Sequence, residues 1–174
     1  MPILLPAPIL DNGVWVQTWA TSPSLNQTGL ENYSFRCVAL GSNISRSGSL
    51  IRVTFTPHST AQLKIDNASI VERSGSTDAG TTTPTSLLFS GSASVTTGSG
   101  TPVTSDPLAF NIDETKDYLV IFDIGSTLGN CRYHVASDKH YFKVATDSYN
   151  VQTPTGFTDN GTGGYCASKI EVLT

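Results

Sequence analysis

The chain has 174 residues, a formal net charge of −4 and only 14% charged residues, with 38% hydrophobic residues. That length suits one domain around one core, and the apolar content is too high and the charge too low for a disordered chain. Ten scattered basic residues in an acidic protein do not form the cationic stripe a nucleic-acid binder needs, and no apolar run approaches the roughly 20 residues of a bilayer-spanning helix.

The N-terminus, Met1 to Leu10, is apolar but carries three prolines and no basic residue. It therefore reads as an extended arm over residues 1–13, packing on the domain or on a neighbouring subunit, and not as a signal peptide. Ser and Thr supply about a quarter of the residues. Thr tolerates strand positions, while Ser, Gly and Asn suit turns, so many short strands with tight connections are expected.

Alternation of apolar and polar residues then marks the strands in chain order. Val14–Trp19 and Ser34–Leu40 come first. Leu50 to Thr56 follows, placing Ile51, Val53 and Phe55 on one face and Arg52, Thr54 and Thr56 on the other. Leu63–Glu72, Leu87–Ser90, Ala93–Thr96 and Pro107–Phe110 continue the series. Tyr118–Ile124 is almost continuously apolar, as a central strand covered on both faces would be. Tyr141–Ala145 and Ser168–Leu173 close it. Glycine-rich loops such as 41–43, 75–80, 98–100 and 160–164 punctuate these segments, and none carries a helical period. The expectation is an all-β, jelly-roll-like antiparallel β-sandwich: a single domain over residues 14–174 with an extended N-terminal arm.

Three cysteines, Cys37, Cys131 and Cys166, leave an odd count. Either all three are buried reduced thiols, or Cys166, in its glycine-rich stretch, forms a disulfide or an interchain bridge. Cys131, His134 and His140 lack the tight spacing of a zinc site, and Asp113, Glu114 and Asp117 lack the calcium-loop pattern, so no metal and no cofactor is expected. There is no Gly-x-Ser-x-Gly elbow, and Ser126 in Asp123–Ser126 stands in the wrong order for a Gly-Asp-Ser block, so a hydrolytic triad is not expected. Five glycosylation sequons begin at Asn26, Asn32, Asn43, Asn67 and Asn160, and matter only in a glycosylating pathway.

Aromatic residues are the better pointer to binding. Trp15 and Trp19, four apart on an extended segment, are expected on one strand face. Tyr133, Tyr141, Tyr149 and Tyr165 lie in the loop-rich C-terminal third. These six residues are the candidate ligand-binding set, because an exposed ring beside Asn or Asp grips a sugar face or anchors a protein interface.

The stretch Trp15-Val-Gln-Thr-Trp-Ala-Thr-Ser-Pro23 resembles the opening Trp-x-x-Thr-Trp-Ala-x-x-Pro of bacterial secreted GDSL/SGNH-type hydrolases. Leu50–Thr56, Leu63–Ile70, Pro84–Gly91, Val103–Pro107, Tyr118–Ile124 and Arg132–His134 are similar to later pieces of that family's N-terminal β-sandwich, in the same order. The family's Gly-Asp-Ser block would follow the strand that Lys169–Thr174 resembles, and no counterpart is present. The resemblance thus implies an accessory sandwich and carries over no catalytic residue. The expected role is non-catalytic: a structural or adhesive module of a multi-subunit particle, at a virion surface or extracellular, with a phage decoration, fibre or neck component as the leading case. The alternative is a carbohydrate-binding module for cell-surface or capsular polysaccharide. Expected partners are other subunits, identical copies among them, and glycans, but not nucleic acid and not the interior of a membrane.

Overall fold

The computed structural model describes residues 13–135, 139–145, 147–161 and 163–174, so the arm expected over residues 1–13 lies, apart from Gly13, outside the described residues. The fold is all-β: the described residues form fifteen strands and one 3₁₀ turn at Gly41–Asn43. The strands are β1 (Trp15–Ala20), β2 (Leu25–Gln27), β3 (Tyr33–Ala39), β4 (Gly48–Phe55), β5 (Leu63–Glu72), β6 (Thr85–Leu87), β7 (Val95–Thr96), β8 (Val103–Thr104) and β9 (Leu108–Ile112). They continue with β10 (Tyr118–Gly129), β11 (Cys131–His134), β12 (His140–Val144), β13 (Thr158–Asn160), β14 (Gly164–Tyr165) and β15 (Ala167–Leu173).

Two large antiparallel sheets carry the fold. One runs β1-β15-β4-β8, with β9 also on β4; the other runs β13-β12-β3-β10-β5-β6, with β7 also on β5. A small third sheet, β14-β11-β2, closes one end. Alternation explains the main core. Ile51, Val53 and Phe55 from β4 and Ile170 and Val172 from β15 meet Phe35, Ala68, Ile70, Val120 and Phe122 from the other sheet. Phe55 and Phe122 touch edge to face with centroids 5.5 Å apart, a geometry favoured by the ring quadrupoles.

The continuous apolar run of β10 has its own reason. Its second face, Leu119 and Ile121, packs with Val38, Val71 and Tyr141 in a separate cluster, so the larger sheet is buried on both sides. Loops cover that outer face and are fastened by polar groups. Arg36, fully buried, donates to the carbonyls of Asp78 (2.9 Å), Ser148 (3.0 Å) and Val151 (2.5 Å). Arg73 donates to the Tyr141 hydroxyl at 2.7 Å and pairs with Asp117 at 3.3 Å.

One expectation about side-chain direction is corrected. Trp15 lies opposite Leu173, but Trp19 lies opposite Ile170, because a bulge between Gln17 and Trp19 shifts the register. The extra residue puts the two indoles on opposite faces of β1. Trp19 is 2% exposed in the core, whereas Trp15 is half-buried on the outer face under the Arg52 guanidinium, 4.5 Å from the ring centroid.

Candidate binding site

Aromatic residues converge where the inner face of the larger sheet reaches its β12–β13 edge. Tyr33 and Phe35 alternate with Ser34 on β3 and so share a face. Phe142 on β12 lies directly opposite Phe35. The three rings form a wall, with Tyr33 stacked on Phe35 at 5.9 Å and Phe142 tilted against them at 6.1 and 6.5 Å. Tyr165 from β14 closes in on Phe35 at 5.0 Å, and Tyr133 stacks behind it at 5.4 Å. Leu30, Tyr33, Phe35, Phe142, Asn160 and Tyr165 line a hollow of about 200 Å³.

Backbone chemistry fixes Tyr165 there. Gly163 has φ 86°, and a Cβ at that position would run into the His134 carbonyl, so glycine is required where the chain turns into β14. Cys166, on the other side of Tyr165, also takes a positive φ of 53° as the chain swings into β15.

Asn160 supplies the polar rim. The buried His140 contacts the Gly163 carbonyl through Nδ1 at 2.7 Å, which requires the proton on that nitrogen. Its Nε2 then accepts from the Asn160 amide at 3.4 Å. Burial lowers the His140 pKa, and the neighbouring His134 works in the same direction against the Gly163 bond, so the ring is neutral at pH 7. Asn160 is exposed, so its amide is available to a ligand at the rim. An aromatic wall with an amide at its rim can stack on the apolar face of a sugar ring and bind a hydroxyl.

The structure sorts the candidate residues accordingly. Tyr165 lines the hollow, and Tyr133 supports it. Tyr141 is 5% exposed on the opposite sheet face, with its hydroxyl donating to Ser76 O at 3.0 Å, and is therefore a structural residue. Tyr149 packs against the second cluster, with its backbone N–H on Asp123 at 3.3 Å. Buried Trp19 offers no platform, and one face of Trp15 is covered by Arg52. Tyr33, Phe35, Phe142 and Asn160 were not among the candidates. The alternation Tyr33-Ser34-Phe35 was the available signal, but pairing with β12 is a long-range fact.

Cys37, Cys131 and Cys166 are buried thiols, and Cys37 donates to the Tyr165 carbonyl at 3.3 Å. Burial pushes the Cys166 thiol well up, reinforced by its hydrogen bond with Cys131, and at 1% exposure it faces the core, so it is not placed to bridge to another chain. Among the described residues, no three His, Cys, Asp or Glu side chains are grouped to hold a metal. Asp113 and Asp117 instead cap turns: Asp113 accepts from the Thr115 amide at 2.8 Å, and Asp117 from the Gly41 amide at 2.9 Å. No family model matches the chain, and no curated protein is significantly similar to it.

Proposed function

We propose that this protein is a non-catalytic adhesive β-sandwich module that binds saccharide at the aromatic hollow and is displayed on a multi-subunit particle, with a phage virion as the leading setting. The observation that carries the proposal is the set of half-buried rings Tyr33, Phe142 and Tyr165 packed over the buried Phe35, with the exposed Asn160 at their rim. The strand orders β1-β15-β4-β9 and β3-β10-β5-β6 support a jelly-roll-like reading, an architecture shared by viral capsid and lectin domains. That is fold-level analogy and adds only to the plausibility of the setting. The likeness of Trp15–Pro23 to the accessory sandwich of GDSL/SGNH-type hydrolases supports the same non-catalytic role. A glycan array of capsular and cell-wall polysaccharides tests the reading: retention of the wild type and loss of retention in Tyr165→Ala are expected. No retention on any glycan contradicts it.

A second reading, a purely structural subunit, is favoured by the sheet edge at which the described chain begins. Val14 is 65% exposed, and its amide donates to the Thr174 carbonyl at 3.1 Å, beside the outermost strand of the five-stranded sheet. Gly13 and Val14 therefore stand at a sheet edge, and an exposed edge is a surface that a neighbouring copy can pair with or clasp. Mass measurement during size-exclusion chromatography, with and without residues 1–13, tests this. A monomer in both cases contradicts it.

A further inference from the structure

The outer face of the five-stranded sheet carries a second concavity, on the opposite side of the sandwich core from the two-sided sheet. It is a groove of about 470 Å³ crossed by the side chains of Thr54, Thr56, Ser168 and Lys169, with Arg132 reaching in from β11. Its size is in the range of small-molecule sites. Its charge is opposite to that of the protein. On this face Arg52 and Lys169 share one carboxylate, Glu171, at 2.7 and 3.1 Å, and Arg132 adds a further cation to a chain of net charge −4.

Arg132 is the unusual member. Its half-buried side chain has its Nε–H sealed off, while the two Nη groups stay open to the groove and make no hydrogen bond or ion pair among the described residues. The Nη end therefore has donors available to a ligand in the groove. A carboxylate fits the planar fork in bidentate fashion, and such charge-assisted pairs are the strong ones.

The rest of the groove matches a sugar. Thr54 and Thr104 hydroxyls lie 2.9 Å apart, and the Thr56 hydroxyl donates to Ser168 Oγ at 2.9 Å, so hydroxyl groups are paired along the floor and can exchange bonds with ligand hydroxyls. Pro23 and Pro102 supply flat apolar flanks for C–H faces. We infer that this groove binds a carboxylate-bearing saccharide of the uronate type, with Arg132 on the carboxylate and the Thr–Ser floor on the ring hydroxyls. The inference rests on the saccharide-binding reading but places a second, charge-selective site on the other sheet.

Trigalacturonate, maltotriose and inorganic phosphate, titrated separately into the full chain by calorimetry and amide NMR, test it. Trigalacturonate should bind with shifts at Thr54, Arg132 and Ser168, weaken with added salt, and lose about tenfold or more in affinity in Arg132→Gln, the loss of a charged hydrogen bond. Lys169→Glu, which places a carboxylate in the groove, should abolish binding even if Arg132→Gln folds poorly. Absence of trigalacturonate binding, or binding indifferent to both groove variants, overturns the inference, as does phosphate binding equally well, which would mean an anion site without saccharide selectivity. Maltotriose bound at the hollow with trigalacturonate unbound removes this inference and leaves the first reading standing; no saccharide bound anywhere removes both.

Discussion

Arg36 and Asp123 hold the same loop by opposite ends of its peptide groups. Arg36 donates to the carbonyls of Ser148 and Val151, while Asp123 Oδ2 accepts from the amides of Ser148 and Tyr149 at 3.1 and 3.3 Å. The two side chains project from adjoining strands, with Arg36 opposite Ile121 and Asp123 opposite Ser34, so the clamp is built on one face of the larger sheet. Burial lowers the Arg36 pKa to about 10 against the nearby Asp78 and Asp123, and it stays charged at neutral pH.

Arg36→Met is expected to cost about 3 kcal/mol or more, because three carbonyls lose their donor beneath a buried loop. Urea unfolding reads this directly. Asp123→Asn keeps an acceptor and removes a charge whose burial raises the carboxyl pKa. A raised folded pKa means wild-type stability falls as pH rises from about the ordinary 3.8 through the folded value. The variant should therefore compare worst with wild type at low pH and best near neutrality.

Trp19→Ala should cost about 3–5 kcal/mol as a large core deletion, against about 1 kcal/mol for Trp15→Ala, which loses mainly the stacked Arg52. Equal costs in thermal or urea unfolding would contradict the opposite-face placement.

What the sequence disclosed and what it hid divide along the range of the interactions. Leu63–Glu72 coincides with β5, and the alternation of Leu50 to Thr56 places Ile51, Val53 and Phe55 in the core, because these depend only on which face is buried. The two-sided burial of Tyr118–Ile124 was legible for the same reason. The bulge in β1 was not, since nothing in Trp15–Trp19 marks the extra residue. Strands β2, β11, β13 and β14 are two to four residues long and polar or mixed, so they carry no period to read. The hollow was half legible: Tyr165 was a candidate, but its partners come from β3, β12 and β13, and their convergence is a matter of topology.

The three thiols should be silent to a water-soluble disulfide reagent in the native state and react at three equivalents in denaturant, since Cys37, Cys131 and Cys166 are all buried. Cys166→Ser should cost about 1–3 kcal/mol by placing a stronger polar group in that site. Reaction of Cys166 in the native protein at the rate of a free thiol would contradict its placement.

Acidification should loosen the rim of the hollow. His140 has a folded pKa below its ordinary 6.5, so the stability of its neutral form is present above that value and lost as pH falls through the window beneath it. Protonation of Nε2 also removes the acceptor that holds Asn160. Melting temperature followed from pH 7.5 to 5 should drop in wild type and drop less in His140→Gln.

The most direct test is an NMR titration that follows the ring protons of Tyr33, Phe142 and Tyr165 while oligosaccharides from the best-retained polysaccharide are added. The account predicts saturable shifts at these three rings, with Trp15 and Tyr149 unmoved, and about tenfold or weaker binding in Tyr165→Ala, as loss of one stacking platform implies. Binding that shifts none of the three rings, or that survives Tyr165→Ala unchanged, would contradict it.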